Sequence, residues 1–419
     1  MNVYFHTFGC RANQYDTEQV RRAFAVGGAV VVDDPALADL AVVNSCTVTH
    51  ESEVKLRRFV RHLAKTGTRD AQTIVMGCAA ALDDGTIAAL PSVRAVVANA
   101  DPAMVLRAAG LSGVVGAQRA APLPGTKSRA LLRIQDGCDE HCTFCATTLA
   151  RGNNRSRGVA ELIEEARLLA EHHAEIVLTG VHIGTYGQDA NQGAFTRGSQ
   201  PGVNKPGASL GQLLESLIEA VPTARFRLSS VEATEVDDTL AHLFIEAPRH
   251  LAAHLHAPLQ SGSNRLLKRM GRHWYTAESY RARIEWLAER LSVFGLGADV
   301  IAGFPGETDA DHRASVSLLR ALPFTYLHVF PFSVRPDAPA ARLSGQVSPT
   351  TVREWARELR DLGEAKAAAY RSSRVGQVAD GVVSGRQQGR LEVMTQDYLS
   401  VYLDTGQWDG RPRFEVTVN

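Results

Sequence analysis

The sequence lacks long apolar runs and an excess of charge of either sign. Lys plus Arg and Asp plus Glu each number 45 among 419 residues, so net charge neither favours nor excludes a nucleic-acid partner. No apolar stretch approaches the roughly 18 residues that a membrane-spanning helix needs. The start, MNVYFHTFGC, also lacks the basic and apolar regions of a signal peptide. We therefore expect a cytoplasmic protein that does not enter membranes.

Cysteine is scarce, with six residues in the whole chain, yet three of them fall within GCDEHCTFC as Cys138, Cys142 and Cys145. Three thiolates are one short of a closed zinc site, whereas a cubic iron-sulfur cluster held by three cysteines leaves one iron open. A zinc site completed by His141 and a disulfide are the alternatives, and both are disfavoured by the spacing and by the absence of a secretory signal. The motif therefore predicts an iron-sulfur cluster with an open iron.

The first hundred residues alternate between short apolar runs and helical periodicity. Strands are predicted at residues 3–7, 40–44 and 73–76, with helices at 16–26 and 53–65, which indicates a parallel sheet with helices on its faces. Cys10, Cys46 and Cys78 each follow one of these strands. A single free cysteine usually only packs, but the carboxyl ends of parallel strands share one rim. Their common position favours a second three-thiolate site.

The rest of the chain predicts an overall α/β organisation with further domains. Residues 1–110 form the first domain, and the Gly- and Pro-rich residues 111–128 form a linker. Residues 129–348 carry six strand-helix units, which predict a partial (βα)6 barrel with its chemistry on the loops after the strands. Ser348 and Pro349 begin a connecting helix over residues 349–369, and alternating runs in residues 370–419 predict a small β-barrel.

Motifs along the entire chain resemble the methylthiotransferases of the radical S-adenosylmethionine (SAM) superfamily. They are GCRANQYDTE, NSCTVT and MGCAA in the first domain, and GCDEHCTFC, RGNNRSR, LTGVHIGTYG, HLHAPLQSGS and DVIAGFPGET in the central one. The resemblance implies two [4Fe-4S] clusters. Cys138, Cys142 and Cys145 would hold the cluster whose open iron binds SAM and generates a 5'-deoxyadenosyl radical. Cys10, Cys46 and Cys78 would hold an auxiliary cluster that carries the sulfur to be inserted.

The resemblance also implies contacts with SAM and RNA, and it leaves the chemistry to the cofactors without a catalytic side chain. Residues expected around SAM are Phe144, Thr179, Gly180, Ser230, Glu232, Gln260, Ile301 and Gly303. Arg151, Arg155 and Arg157 follow the radical-site cysteines, where an RNA backbone would be gripped. The last domain resembles the RNA-binding TRAM module, although its six Arg and no Lys face six acidic residues. A Gly- and Asn-rich stretch at residues 187–208 is expected to be a surface insertion.

The function that the resemblance implies is that of a tRNA methylthiotransferase, which replaces the C2 hydrogen of a modified adenosine at position 37, beside the anticodon. CRANQYDTE and TGVHIGTYG resemble the branch that acts on N6-threonylcarbamoyladenosine. The alternatives are the isopentenyladenosine branch, the branch for a ribosomal protein aspartate, and a non-catalytic zinc-bound RNA-binding protein. Expected partners are a tRNA anticodon stem-loop, a flavodoxin- or ferredoxin-type electron donor and a sulfur donor. The protein is expected to be a monomer.

Overall fold

The computed structural model describes residues 1–47, 50–66, 71–111, 128–189 and 208–419. These residues form two compact units. The first comprises the described residues up to 111 with 136–140 and 145–154, and the second comprises residues 128–135, 141–144 and the described residues from 155 onward. The predicted linker and the predicted insertion at 187–208 fall almost entirely outside the described residues, and the predicted domain boundaries stay predictions. In the described part of the chain, no helix is both long enough and apolar enough to cross a membrane.

The first unit is built on a parallel sheet. Its strands are β1 (Asn2–Thr7), β2 (Val30–Val32), β3 (Leu40–Ser45), β4 (Gln72–Gly77) and β5 (Val93–Val97), and its helices are α1 (Arg11–Val26), α2 (His50–Thr66), α3 (Cys78–Ala81), α4 (Pro102–Ala108) and α5 (Thr147–Arg151). The strand order is β2-β1-β3-β4-β5. Val42 and Ile74 pack with Phe24 on one face, whereas Val43 and Val75 pack on the other. This alternation is why helices cover both faces.

The three predicted strands of this unit are present, but two others were missed. β2 is only three residues long, and β5 is at the edge of the sheet, so neither gives a strong sequence pattern. The prediction that the first helix begins at residue 16 was wrong, because α1 begins at Arg11 with Cys10 as its N-cap residue. The first turns of α1 carry buried polar side chains, including Asn13 and Asp16. Polar residues on the buried face conceal the helical periodicity there.

The next elements alternate between strands and helices. The strands are β6 (Arg129–Arg133), β7 (Gln135–Asp136), β8 (Arg155–Ser156), β9 (Glu175–Thr179), β10 (Arg225–Leu228), β11 (His254–His256), β12 (Gly295–Ala302) and β13 (Tyr326–Pro331). The helices are α6 (Val159–Ala170), α7 (Leu210–Ala220), α8 (Asp238–Glu246), α9 (Asn264–Arg269), α10 (Ala277–Ala288) and α11 (Asp309–Ala321). Sheets β10-β9-β6 and β11-β12-β13 are parallel, and the parallel bridge between Ser230 and His256 connects them. The predicted six-stranded partial barrel is thus confirmed.

The second unit ends in a long helix and an antiparallel sheet. Helix α12 (Pro349–Arg374) begins as predicted, since the Ser348 side chain accepts a hydrogen bond from Thr351 N. The strands β14 (Val378–Gln387), β15 (Arg390–Thr395), β16 (Ser400–Asp404) and β17 (Arg413–Thr417) follow. They pair antiparallel in the order β16-β15-β14-β17 around a small apolar core. This sheet corresponds to the predicted C-terminal module.

Two fully buried arginines of β10 attach this module to the central sheet. Arg225 Nη1 donates to Asp380 O at 2.6 Å, and Arg227 Nη2 donates to Thr395 O at 2.8 Å. Both guanidinium groups also pair with the buried carboxylate of Glu175. Burial alone would raise the pKa of Glu175, but the neighbouring arginines lower the pKa well below its ordinary value. The module is therefore fixed to the barrel by charged groups inside the protein.

Candidate cluster and cofactor sites

Cys10, Cys46 and Cys78 follow the carboxyl ends of β1, β3 and β4, which are neighbours in the first sheet. Cys46 and Cys78 are buried, Cys10 is exposed, and all three are free thiols. Burial raises the pKa of Cys78 to about 11, with Arg151 opposing this and the thiols of Cys10 and Cys46 adding to it. The sheet thus brings together three sulfurs whose convergence was predicted from their positions after strands. As cluster ligands they stay a prediction.

Glycines immediately before two of these cysteines allow the loops to approach one another. Gly9 has φ 105°, and a β-carbon there would lie 2.7 Å from Cys46 Cβ. Gly77 has φ 94°, and its β-carbon would lie 2.1 Å from Asn44 Oδ1. Both positions require glycine, because the backbone is left-handed and there is no space for a β-carbon. The Gly-Cys pairs are therefore a sequence signal of a tight loop that presents the next sulfur.

Asn13, which sequence reasoning did not single out, connects the same loops. Its Nδ2 donates to Phe8 O at 3.1 Å and to Ser45 O at 2.8 Å. Its Oδ1 lies 3.6 Å from Cys10 Sγ and 3.8 Å from Cys78 Sγ. One fully buried amide therefore fixes the loops before Cys10 and Cys46 and contacts the sulfurs of Cys10 and Cys78. The three-thiol site has a fixed polar surrounding, which fits a resident cluster.

The cysteines of GCDEHCTFC belong to different compact units, Cys138 and Cys145 to the first and Cys142 to the second. Within the first unit, a backbone N–H two residues further along the chain points at each of Cys138 Sγ and Cys145 Sγ, both at 3.4 Å. Within the second, Arg272 Nη1 donates to Cys142 Sγ at 3.5 Å. Each sulfur accepts hydrogen bonds of the kind that stabilise a metal-bound thiolate. These residues fit a cluster, and their role as ligands stays a prediction.

The predicted SAM contacts lie in the second unit, mostly at the carboxyl end of its curved sheet. Thr179 ends β9 and Gly180 follows it, Ser230 and Glu232 follow β10, Gln260 follows β11, and Ile301 and Gly303 lie at the end of β12. Phe144 packs edge-on against Phe304. Thr179 Oγ1 is buried and has no hydrogen-bond partner among the residues that the structure describes. A buried hydroxyl of this kind is what a bound polar ligand satisfies, so the rim fits SAM.

Glu232 has strong partners within the protein. Its carboxylate forms an ion pair with Arg272 and accepts a hydrogen bond from Trp274 Nε1. Burial raises the pKa of Glu232, although the Arg272 guanidinium opposes the shift. His182 lies 2.7 Å from Glu235 on the same side. Because Arg272 contacts both Glu232 and Cys142, it links the predicted cofactor rim to one of the cysteines. Contact between Glu232 and SAM stays a prediction.

A second polar network, missed by sequence reasoning, crosses β11, β12 and β13. Asp299 Oδ1 lies 2.9 Å from His256 Nε2 and 3.2 Å from His328 Nδ1. The hydroxyl of Tyr326 lies 2.8 Å from His254 and 2.9 Å from His256. Burial would raise the pKa of Asp299, but the two histidines lower it below its ordinary value. The face of the curved sheet opposite its apolar core therefore carries a fixed polar surface.

The three arginines predicted to bind RNA are placed differently. The Arg151 side chain is only 9% exposed and pairs with Asp16 at 2.8 Å. Arg157 pairs with the carboxylates of α6, at 2.6 and 2.7 Å, and Arg155 is exposed. Arg151 and Arg157 thus have partners within the protein, and RNA contact by any of the three stays a prediction.

Comparison with known proteins decides the family. Residues 2–98 match the uncharacterized protein family UPF0004, and residues 132–319 match the radical SAM superfamily. The threonylcarbamoyladenosine tRNA methylthiotransferase MtaB of Bacillus subtilis is 35% identical over 386 residues, which cover 88% of this chain and 82% of that protein. This chain belongs to the radical SAM methylthiotransferase family. Membership confirms the predicted enzyme class and removes the alternative of a non-catalytic zinc protein.

Other family members agree, and a solved structure shares the fold. The MtaB protein of Thermotoga maritima is 33% identical over 91% of this chain and 88% of its own length. The tRNA-2-methylthio-N(6)-dimethylallyladenosine synthase of Sorangium cellulosum is 32% identical over 92% of this chain and 82% of its own length. The radical SAM methyltransferase TsrM of Kitasatospora setae shares the fold, with a TM-score of 0.54 at 14% identity over 81% of this chain and 75% of that one. As a methylthiotransferase of this family, the protein uses two [4Fe-4S] clusters and SAM.

Proposed function

We propose that this methylthiotransferase converts N6-threonylcarbamoyladenosine at position 37 of tRNA to its 2-methylthio derivative. The observation that carries the proposal is the rim of the first sheet, where Cys10, Cys46 and Cys78 provide a second three-thiol site in a chain that also has a radical SAM barrel. A radical SAM enzyme that only generates a radical needs one cluster, so a second site supports sulfur insertion. The choice of adenosine rests on the relatives from Bacillus subtilis and Thermotoga maritima, which are threonylcarbamoyladenosine tRNA methylthiotransferases.

Each cysteine group has its own task in this proposal. Cys138, Cys142 and Cys145 hold the cluster that binds SAM, and Cys10, Cys46 and Cys78 hold the auxiliary cluster. When bound, SAM and the two clusters together supply a 5'-deoxyadenosyl radical, a sulfur atom and a methyl group. The protein's own residues position them: Asn13 fixes the loops of the auxiliary site, and Arg272 donates to Cys142.

Binding of SAM is assigned to the rim of the second unit. Thr179 Oγ1 supplies a buried hydroxyl for a polar group of the cofactor. Gly180 permits close approach of the chain, since a β-carbon there would lie 2.6 Å from Gln135 O. Gln260 and Ile301 are joined by the bond from Ile301 N to Gln260 O at 3.0 Å, which holds two neighbouring loop ends at a fixed spacing. The other contacts proposed are Phe144, Ser230, Glu232 and Gly303.

Recognition of the anticodon stem-loop is assigned to the exposed side chain of Arg155 rather than to the charge of the C-terminal module. In that module, Arg374, Arg390, Arg411 and Arg413 each pair with an acidic residue of the module itself. Arg371 donates to Ser400 O at 2.8 Å. These contacts, with the bonds from Arg225 and Arg227, support a bracing role. We further propose a cytoplasmic monomer that receives electrons from a flavodoxin- or ferredoxin-type donor and sulfur from a separate donor.

The substrate is tested by mass spectrometry of tRNA nucleosides from a strain that lacks the gene. The methylthio derivative of threonylcarbamoyladenosine should vanish, and its unmodified precursor should accumulate. A plasmid with the intact gene should restore the derivative, whereas one encoding Cys138→Ala should not. If only the isopentenyladenosine derivative changes, the substrate is that of the alternative branch. The name of the Sorangium cellulosum relative places that protein in this branch.

A further inference from the structure

Arg151 follows the GCDEHCTFC motif in sequence, but its guanidinium contacts residues of the auxiliary site. It ends α5, which packs against α3, the short helix that begins with Cys78. Arg151 Nε donates to Cys78 Sγ at 3.2 Å, and Nη2 donates to Asn13 Oδ1 at 2.7 Å. The side chain is only 9% exposed. A cation that is largely shielded from solvent therefore contacts one of the three thiols and the Asn13 amide, which fixes the loops before Cys10 and Cys46.

Two carboxylates also contact this guanidinium. Arg151 Nη2 lies 2.8 Å from Asp16 Oδ2, and Nη1 lies 3.0 Å from Asp136 Oδ1. These bonds orient the planar group so that Nε faces the sulfur of Cys78. Lysine could not reproduce this arrangement, because it presents a point charge rather than a rigid fork of donors. The geometry is specific for arginine.

We propose that Arg151 is a positioning residue for the auxiliary cluster, and that its hydrogen bond to Cys78 Sγ raises the reduction potential of that cluster. The proposal rests on the assignment of Cys10, Cys46 and Cys78 as cluster ligands. Hydrogen bonds to ligand sulfurs and the local charge are among the factors that set the potential of an iron-sulfur cluster. Reduction adds one electron to the cluster, and the donated N–H stabilises the additional negative charge.

The experiment uses the full chain with Cys138, Cys142 and Cys145 replaced by Ala, so that only the auxiliary cluster forms on anaerobic reconstitution. The cluster is reduced stepwise with dithionite, and its reduced form is followed by electron paramagnetic resonance. Arg151→Met combined with Asp16→Asn removes the hydrogen bond while keeping the summed charge of this ion pair. It should lower the equilibrium constant for reduction at least tenfold, which is about 59 mV for one electron.

Further variants separate the hydrogen bond from other effects. Asp16→Asn alone removes one negative charge and should move the potential upward. Arg151→Lys keeps the charge and serves as the second variant if the double change prevents cluster binding. Its cluster should also have a lower reduction potential than the cluster of the parent, which is the chain with Cys138, Cys142 and Cys145 replaced by Ala. Arg107→Met, which changes an exposed arginine of α4, should leave the potential at the parental value. A purely structural role would reduce the iron content without moving the potential of the clusters that do form.

The outcomes distinguish this inference from the proposed function. If the parent binds about four irons and the Arg151 variants titrate at its potential, the inference is wrong while the cluster assignment stands. If the parent binds no iron under conditions that load the natural chain with two clusters, the assignment of Cys10, Cys46 and Cys78 is overturned, and the inference with it.

Discussion

Arg227 and Glu175 are both fully buried and are joined by two hydrogen bonds of 3.0 Å. The same guanidinium donates to Thr395 O in the C-terminal module. A charge pair in this position needs every partner, because an unpaired ion inside a protein is strongly unfavourable. The attachment of the module therefore depends on a few residues of β9 and β10.

Glu175→Gln should destabilise the protein by about 3–5 kcal/mol, since it leaves buried guanidinium groups without their carboxylate. The midpoint of urea unfolding, followed by circular dichroism, measures the loss. Arg167→Met is the control, because the ion pair of Arg167 with Glu164 on α6 is exposed. That change should alter the free energy of unfolding by no more than about 0.5 kcal/mol. Equal midpoints for Glu175→Gln and the natural protein would contradict the structural role given to Glu175.

The raised pKa of Glu307 predicts that the stability of the protein depends on pH. Burial raises its pKa from 4.5 to about 7, although Gly303 N and Phe304 N donate to its carboxylate and oppose the shift. The folded protein therefore holds this proton more tightly than the unfolded chain. The resulting stabilisation is complete below pH 4.5 and is lost as the pH rises to about 7.

The loss should amount to on the order of 3 kcal/mol in the free energy of unfolding. Urea unfolding at several pH values across this window measures it. Glu307→Gln carries no titratable group at this position, so its stability should fall less over the same interval. Identical pH profiles for the variant and the natural protein would show that Glu307 is not the group responsible.

Thr179→Val tests the rim that is assigned to SAM. The change keeps the shape of the side chain but removes the buried hydroxyl that has no partner among the described residues. Loss of one hydrogen bond to the cofactor should weaken SAM binding by about 1 kcal/mol, or roughly fivefold in Kd. Equilibrium dialysis of reconstituted protein measures the affinity. Thr350→Val, at an exposed position of α12, should not change Kd, and unchanged binding by Thr179→Val would remove Thr179 from the SAM site.

Much of the fold was predictable because it follows from local pattern. The strands that precede Cys10, Cys46 and Cys78 are apolar and β-branched, so the convergence of the thiols followed from the common direction of parallel strands. Similarly, Ser348 and Pro349 correctly predicted where α12 begins, because they form its N-cap and first helical residue. These features depend on residues that are close in sequence.

The remaining features depend on distant partners. Asn13, Asp16 and Arg151 meet only in the folded protein. Nothing in the residues beside Arg151 distinguishes a contact with Cys78 from a contact with RNA. Likewise, Arg225 and Arg227 look like exposed residues of a strand, yet Glu175 and the carbonyls of the C-terminal module allow both to be buried. Charge pairing over long sequence separations leaves no periodic pattern to read.

The central claim is that radical generation and sulfur insertion use separate cysteine sites. The most direct test replaces Cys10, Cys46 and Cys78 together with Ala and measures 5'-deoxyadenosine and methylthiolated nucleoside in one anaerobic reaction with tRNA that carries threonylcarbamoyladenosine. The predicted result is continued formation of 5'-deoxyadenosine, about four irons per chain and no methylthiolated product. Methylthiolation by this variant would contradict the account, because the three thiols would then only pack at the rim of the sheet.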